Sequence, residues 1–223
     1  MKIFICLIAL VAAIQVGAQR HPVKLNPSKV ALLPKECGVA KYPPQPTGIL
    51  SKVFEFPWIA LVKFNKTRRP ATCFGTLINH RYVLSVIGCV RKTKQDPDFI
   101  RLGEQSALTD PDCSELRQKD GSTRRECAGP VVDIPIESYV AHPDFDQPMY
   151  TNDLALMRMS REVDYNDYIR PIGAVVDVEG TQRHVQFAMA KFAPRNCTAR
   201  EIVPIIAMRL TKYMEWITNN LEA

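Results

Sequence analysis

Six short apolar or alternating segments, separated by turn residues, fill most of residues 56–159. They are rich in Val, Ile, Phe and Tyr, which favour strands over helices. Short strands joined by turns predict an all-β antiparallel sandwich or barrel, and 46% apolar residues are enough to form a core. The segments are FPWIALVKF, ATCFGTLIN, RYVLSVIGCV, DFIRLGE, VVDIPIESYVAHP and NDLALMRM.

Helical periodicity is confined to the last residues of the chain. Four apolar residues there fall on one face of a predicted C-terminal α-helix, with Thr211 as its predicted N-cap. Residues 173–208 show no comparable pattern, although HVQFAMAKF is consistent with a strand. The four apolar residues are Leu210, Met214, Ile217 and Leu221.

The chain is predicted to have three parts. Residues 1–18 combine a lysine, an apolar run and small residues before the expected cut after Ala18, which is typical of a secretory signal peptide. Residues 19–48 are rich in proline and are predicted to form an extended arm. Residues 49–223 are predicted to form the folded domain. We expect a secreted, extracellular protein without a membrane span, since no later segment reaches about 18 apolar residues.

The cysteines fit an exported protein. Loss of the signal peptide removes one of seven cysteines, and an even number then remains. Such a set predicts disulfides, although sequence spacing alone does not fix the pairing. No C-x-x-C spacing occurs and the four histidines are scattered, so no metal site and no cofactor are predicted. The remaining cysteines are Cys37, Cys73, Cys89, Cys113, Cys127 and Cys197.

Basic residues cluster in three stretches, at 65–70, 91–94 and 117–126, and the formal net charge is +6. These stretches are interpreted as solvated loops, with a patch for acidic glycans or an anionic surface as the alternative. No nucleic-acid partner is predicted. Asn65 in NKT and Asn196 in NCT are predicted glycosylation sites in an exported chain.

Several motifs in a fixed order resemble the chymotrypsin-like serine proteases, in particular the insect clip-domain proteases and their non-catalytic homologues. CFGTLINHRYVLSVIGCV resembles a family segment usually close to CGGSLINxRYVLTAAHCV, TNDLALMRM resembles the catalytic-aspartate strand, and KYMEWI resembles the C-terminal helix. The likeness covers residues 49–173 and 208–223. It implies a first chymotrypsin-like barrel at about 49–160 and a reduced second half at about 161–223.

The same resemblance implies that the catalytic machinery is incomplete. Hydrolysis in this family needs a serine nucleophile, a histidine base and an orienting aspartate. Asp153 occupies the aspartate position, but Gly88 occupies the histidine position, and no G-D-S-G-G-P or G-x-S-x-G occurs. His80 and His142 are expected to be non-catalytic. Gly48 precedes Ile49, where active members have a basic residue for activation cleavage.

The resemblance also implies disulfide pairs. Cys73 with Cys89 closes the family's histidine loop, and Cys113 with Cys127 brackets a basic, exposed hairpin. Cys37 lacks its usual family partner because Gly173 stands there. Two alternatives follow for the last two cysteines: Cys37 bonds with Cys197, or each joins another chain. These two alternatives are left open by the sequence.

The combined prediction is a secreted pseudoprotease that works by binding. By family analogy its partners are other secreted proteins of an immune cascade such as melanisation: a protease, a prophenoloxidase or a recognition factor. Asp153 is interpreted as a structural relic that has lost its catalytic partner, and if it is buried it is expected to find new hydrogen-bond donors or become protonated. Loss of most of the second barrel is expected to uncover apolar surface. The alternatives are a working serine endopeptidase and a truncated product without function.

Overall fold

The computed structural model describes most of the predicted domain and part of the arm. The described residues are 25–42, 51–64, 73–91, 96–118, 120–146, 151–174, 185–186, 188–192 and 206–223.

A closed antiparallel barrel is the main structural unit. Its strands connect in the order β1-β2-β3-β8-β7-β4. Each of the six comes from one of the six apolar segments, so the predicted all-β antiparallel barrel is confirmed. In chain order the first eight strands are β1 Ile59–Lys63, β2 Cys73–Leu77, β3 Tyr82–Ser85, β4 Phe99–Leu102, β5 Cys113–Arg117, β6 Thr123–Cys127, β7 Val132–Ala141 and β8 Ala155–Met159.

Alternating side chains fill the barrel interior. In β4, Ile100 and Leu102 are fully buried while their strand neighbours are partly exposed. Side chains from other barrel strands meet them in one apolar cluster, which includes Val83, Ile134 and Met157. Fully burying a side chain of this size contributes about 1.5–3 kcal/mol, so the period-two pattern accounts for much of the barrel's stability.

Strands β5 and β6 form a hairpin outside the barrel, inserted between β4 and β7. Cys113 pairs directly with Cys127 across the base of this hairpin. Most of its other residues are exposed, as predicted for this loop. The hairpin therefore adds surface without contributing a strand to the barrel.

Beyond the barrel the described residues form two short strand pairs and a helix. A 3-10 turn, Leu210–Lys212, leads into the helix α3, Met214–Asn219. The prediction that Thr211 caps this helix is wrong, because the tight turn displaces the N-cap to Tyr213, which makes no side-chain cap bond. The predicted apolar face is confirmed, since its four residues are all buried. The strand pairs join β9 Gly173–Ala174 to β10 Val185–Gln186, and β11 Ala188–Phe192 to β12 Ile206–Arg209.

The described part of the arm is not simply extended. Asn26 caps a short helix, α1 Pro27–Val30, by accepting a hydrogen bond from the Ser28 amide at 3.1 Å. The Leu32 carbonyl accepts a bond from the side chain of Asn79 at 3.1 Å, and the Gly38 amide donates to the Pro171 carbonyl at 2.8 Å. The arm therefore lies against the folded domain.

An apolar cluster joins the barrel, the C-terminal helix and the arm. It includes Trp58 and Leu156 from the barrel side, together with Met208 and Ile217 from the C-terminal part. Leu33 and other arm residues pack on it from outside. Among the described residues, none of the exposed large apolar side chains belongs to this cluster. The expectation of an uncovered apolar face is therefore wrong for this cluster, because the arm and helix α3 cover it.

Within the described residues, every helix is too short or too polar to cross a membrane.

Candidate functional site

Gly88 lies where strand β3 gives way to a short helical turn, α2 Gly88–Arg91. The residue is exposed, and a Cβ built on it would meet no atom within 4 Å. The neighbouring Gly75 is different, since a Cβ there would lie 2.5 Å from a side-chain carbon of Val83. Packing therefore requires glycine at position 75 but leaves room for a side chain at position 88.

Asp153 lies directly beside this position. Strands β3 and β8 pair with Ser85 opposite Ala155, and continuing that register by two residues places Ile87 opposite Asp153. The side chain is only 2% exposed, and its Oδ1 accepts a hydrogen bond from the Ile87 amide at 2.8 Å. The Ile87 amide, in the chain segment before Gly88, thus supplies the new donor that was expected for a buried Asp153.

The turn before β8 fixes the orientation of the aspartate. Asn152 has φ of 56°, a left-handed conformation that asparagine adopts more readily than most residues. Its side chain donates to the Asp144 carbonyl at 2.8 Å and accepts from the Tyr213 hydroxyl at 3.0 Å. The aspartate position is therefore held by contacts that reach the C-terminal part of the chain.

Two disulfides lie near the site and in the hairpin. Cys73 bonds to Cys89, with 5.6 Å between their Cα atoms, and so ties the turn after Gly88 to strand β2. Cys113 bonds to Cys127 at the hairpin base. Both are the pairs that the resemblance implied. The loop around position 88 thus remains closed by a covalent link.

Ser85 and His80 are the serine and the histidine that lie closest in sequence to Gly88. Ser85 is fully buried, and its hydroxyl donates to the Phe74 carbonyl at 2.7 Å. The His80 ring stacks on Tyr165 with 3.7 Å between centroids, and its Nδ1 lies 2.7 Å from the Val163 carbonyl oxygen. Each side chain is engaged in a structural contact that catalysis would have to break.

His142 packs on the C-terminal part of the chain. Its ring centroid lies 5.0 Å from that of Trp216 and 5.6 Å from that of Tyr213. These contacts connect the end of β7 to the helix α3. The structure therefore gives His142 a packing role.

A charged cluster that the sequence did not reveal joins the arm to the domain. The Lys41 ammonium lies 2.6 Å from a carboxylate oxygen of Glu126 and 2.9 Å from one of Asp167. The Tyr42 hydroxyl donates to the second oxygen of Glu126 at 2.5 Å. We call these four residues the arm latch. They come from three separate stretches of sequence, so no local motif marks them.

Hydrogen bonding in the arm latch favours the charged forms of Lys41, Glu126 and Asp167. The bonds to Glu126 and Asp167 raise the pKa of Lys41. The bonds donated by Lys41 and Tyr42 lower the pKa of Glu126, and the bond from Lys41 lowers that of Asp167. The Lys41 ammonium also lies 4.7 Å from the ring centroid of Phe54, within cation–π range.

An apolar groove of about 330 Å³ runs over the outside of the barrel. Phe74, on strand β2, is 59% exposed, and Phe56 is 41% exposed. Further apolar lining comes from Ile59, Leu61 and Ala107, and polar groups border it from Ser51, Lys63, Glu104 and Gln105. The sequence feature that could have indicated this groove is Phe74 in CFGTL, because the related family segment has glycine at that position. Among the described residues, no cluster of His, Cys, Asp and Glu is arranged to hold a metal ion.

The family follows from comparison with known proteins. A model of the trypsin family matches residues 48–186, more than half of the chain. The chain belongs to the trypsin family. The predicted resemblance is therefore confirmed, and the barrel with Asp153 at its edge is a trypsin-family barrel.

Curated relatives of this trypsin-family chain come from insects. It is 35% identical to Serine protease ea of Drosophila melanogaster over 167 residues, which cover 70% of this chain and 42% of that protein. It is 42% identical to Melanization protease 1 of the same organism over 124 residues, which cover 53% of this chain and 30% of that protein. The chain thus spans less than half the length of both relatives.

A comparable fold is seen in a solved structure of a Drosophila protease. The crystal structure of the Drosophila Grass clip serine protease of the Toll pathway superposes with a TM-score of 0.57 at 29% identity. The match covers 67% of this chain and 42% of that one. The likeness to clip-domain serine proteases therefore holds in three dimensions as well as in sequence.

Three predicted site residues lie outside the described part of the chain: Asn65, Asn196 and Cys197. Glycosylation of the two asparagines stays a prediction. Cys37 is partly buried in the arm. Both alternatives for Cys37 and Cys197 also stay predictions.

Proposed function

We propose that this chain is a secreted, non-catalytic member of the trypsin family that acts by binding another protein. One observation carries the proposal: Gly88 stands beside the buried carboxylate of Asp153. Family catalysis needs an imidazole between that carboxylate and the nucleophile, to take the proton of the serine hydroxyl. Glycine has no group that accepts a proton, so the general base is missing from this position.

Packing gives no reason for glycine at this position. Space is open around position 88, and the Cys73–Cys89 disulfide still closes the loop. The first carbon of a side chain at position 88 would therefore meet no neighbouring atom. We interpret the glycine as the loss of a chemical function in a loop whose structural role persists.

The exposed groove supports a binding role. Large apolar side chains clustered at a protein surface frequently mark interaction sites. Phe74 and Phe56 line such a groove, and the barrel beneath them is closed, so neither ring is needed to fill the core. We propose this groove as a contact surface for a protein partner.

The proposed setting is an extracellular immune protease cascade. Related proteins are named Melanization protease 1 and Phenoloxidase-activating factor 3, and a related structure is described as a protease of the Toll pathway. By this analogy the partner is a clip-domain protease, a prophenoloxidase or a recognition factor.

The decisive experiment is a reaction with a fluorophosphonate probe, which labels activated serine nucleophiles, alongside hydrolysis of peptide substrates. The purified secreted chain should show neither labelling nor hydrolysis, with an active clip-domain protease as the positive control. Labelling or hydrolysis that disappears in Asp153→Ala would contradict the proposal and favour a working endopeptidase.

Binding is tested separately with a purified insect clip-domain protease on a biosensor. Phe74→Ser should weaken binding at least tenfold if the groove is the contact surface. Val140→Ser is the matched control, because Val140 is 40% exposed on strand β7 and does not line the groove. Equal binding by both variants would exclude the groove as the contact surface.

A further inference from the structure

Leu108 is an apolar side chain that projects from the surface beside the groove. It is 94% exposed, more than any other exposed large apolar side chain in the described part of the chain. The residue before it, Ala107, lines the groove together with Phe74 and Phe56. One face of the molecule therefore carries a projecting leucine and an apolar groove side by side.

The loop that carries Leu108 is held in a fixed shape by a buried carboxylate. Asp112 is only 6% exposed, and one of its oxygens accepts hydrogen bonds from the amides of Gln105 at 2.7 Å and Ser106 at 2.8 Å. The Thr109 hydroxyl donates to the other oxygen, and the Thr109 amide donates to the Ser106 carbonyl at 3.1 Å. A side chain that is already held in place loses less entropy when it binds, so Leu108 is suited to anchor a contact.

A projection beside a groove makes this face complementary to itself. In a dimer with a two-fold axis the same patch of each copy lies on the other, so a projection can meet a groove twice. The groove of about 330 Å³ is within the range of pockets that enclose apolar ligands. We propose that two copies of this chain form a symmetric dimer in which Leu108 of each copy inserts beside Phe74 in the groove of the other. The inference rests on the groove proposed above as a contact surface, and it names the occupant of that groove in the free protein.

Charges at the edges of the two features favour the same pairing. Lys63 borders the groove, and the exposed Asp110 follows Leu108 by two residues. None of the ion pairs among the described residues uses either of these charges. Glu104 also borders the groove, but its carboxylate lies 3.4 Å from the Arg101 guanidinium of its own copy. The insertion would therefore bring an available carboxylate to an available cation, which favours this orientation of the two copies.

The number of insertions sets the expected strength of the effect. Removing one buried leucine contact changes an equilibrium constant by about tenfold or more. A symmetric dimer contains two such contacts, so loss of Leu108 should weaken dimerisation about 100-fold. Because the dimer fills the groove, it also competes with the protein partner proposed above for the same surface.

Sedimentation velocity of the purified full secreted chain, over a series of concentrations, measures the dissociation constant of the dimer. Leu108→Ser and Phe74→Ser should each raise this constant about 100-fold. Val140→Ser is the matched control, because Val140 is 40% exposed and does not line the groove. It should leave the constant unchanged within about twofold, as expected for a surface substitution outside the contact.

Mixing the two variants tests the insertion itself. Leu108→Ser keeps an intact groove and Phe74→Ser keeps the projecting leucine, so a mixed dimer regains one of the two insertions. The mixture should therefore associate about tenfold more tightly than either variant alone. An absence of this gain would overturn the proposal, because it would mean that the leucine and the groove do not meet. A chain that stays monomeric at every concentration would also overturn it, as would a dimer that Leu108→Ser does not weaken.

The biosensor assay with the clip-domain protease separates this inference from the proposed function. Leu108→Ser leaves the groove intact, so it should bind the protease at least as tightly as the wild type does. Phe74→Ser should weaken both dimerisation and protease binding. If Phe74→Ser weakens dimerisation alone, the groove is not the contact surface for the protease, and the symmetric dimer is supported.

Discussion

Replacing Gly88 by histidine tests whether the structure still holds a place for the missing base. Nothing lies within 4 Å of a Cβ at this position, so a side chain can begin there without a clash and Gly88→His is expected to fold. The Asp153 carboxylate is held one residue away by the Ile87 amide. An imidazole within about 4–6 Å of a carboxylate has its charged form stabilised. We expect its pKa to rise from about 6.5 to about 7.5, a moderate shift because position 88 is exposed.

The sign of the pH dependence follows from that shift. A pKa that is higher in the folded state adds stability below about pH 6.5, and this contribution disappears as the pH rises through about 7.5. One unit corresponds to about 1.4 kcal/mol in the free energy of unfolding. Gly88→His should therefore be more stable than Gly88→Ala at pH 5.5 by about that amount, and equally stable at pH 9.

The assay combines NMR titration of the new imidazole with urea unfolding at both pH values. Gly88→His in an Asp153→Asn background is the control, because it keeps the shape of the aspartate and removes its charge. An imidazole pKa that is the same in the two backgrounds would refute the reasoning. It would mean that the side chain at position 88 points away from the aspartate and that the family geometry has been lost along with the residue.

Three further predictions concern stability and the arm. Gly75→Ala should lower the free energy of unfolding by about 1–3 kcal/mol in urea titrations, because the added carbon would lie 2.5 Å from a β3 side chain. Replacing Cys73 and Cys89 together by serine should cost about 3 kcal/mol in the same assay, since the bond closes a loop with a sequence separation of 16. The pKa values of Glu126 and Asp167 are lowered by the arm lysine, so the stability they contribute is present above about pH 4 and lost as the pH falls through their folded values. Hydrogen exchange should then show less protection of residues 25–42 at pH 3 than at pH 6.

The barrel strands were predictable because the sequence patterns that indicate them lie within short stretches of the chain. Each strand shows alternation or an apolar run within a few residues, and turn residues mark its ends. The hairpin was predictable because Cys113 and Cys127 bracket a polar stretch that matches a family insertion. The position of Asp153 followed from its motif, and its hydrogen bond to Ile87 follows from the register of β3 and β8, which sequence patterns do not encode.

The arm and its latch were not predictable for the opposite reason. Lys41, Glu126 and Asp167 lie on three separate stretches of sequence that meet only in the folded chain. A proline-rich composition indicates an absence of regular structure, and it does not show whether the segment packs on a neighbour. The expected exposed face was wrong for the same reason, since the arm that covers it has no apolar periodicity of its own.

The hairpin formed by β5 and β6 is joined to the barrel at a single narrow base. There the Cys113–Cys127 bond and the Ala128 amide, which donates to the Asp112 carbonyl at 2.8 Å, fix the spacing of the two entering chains. Strands β4 and β7 already pair with each other below this base. Residues at the tip are therefore free to vary in length and sequence without shifting the barrel register. During evolution, new binding specificities can therefore arise at the tip with little effect on folding. For the same reason a foreign loop could be grafted there by protein engineering.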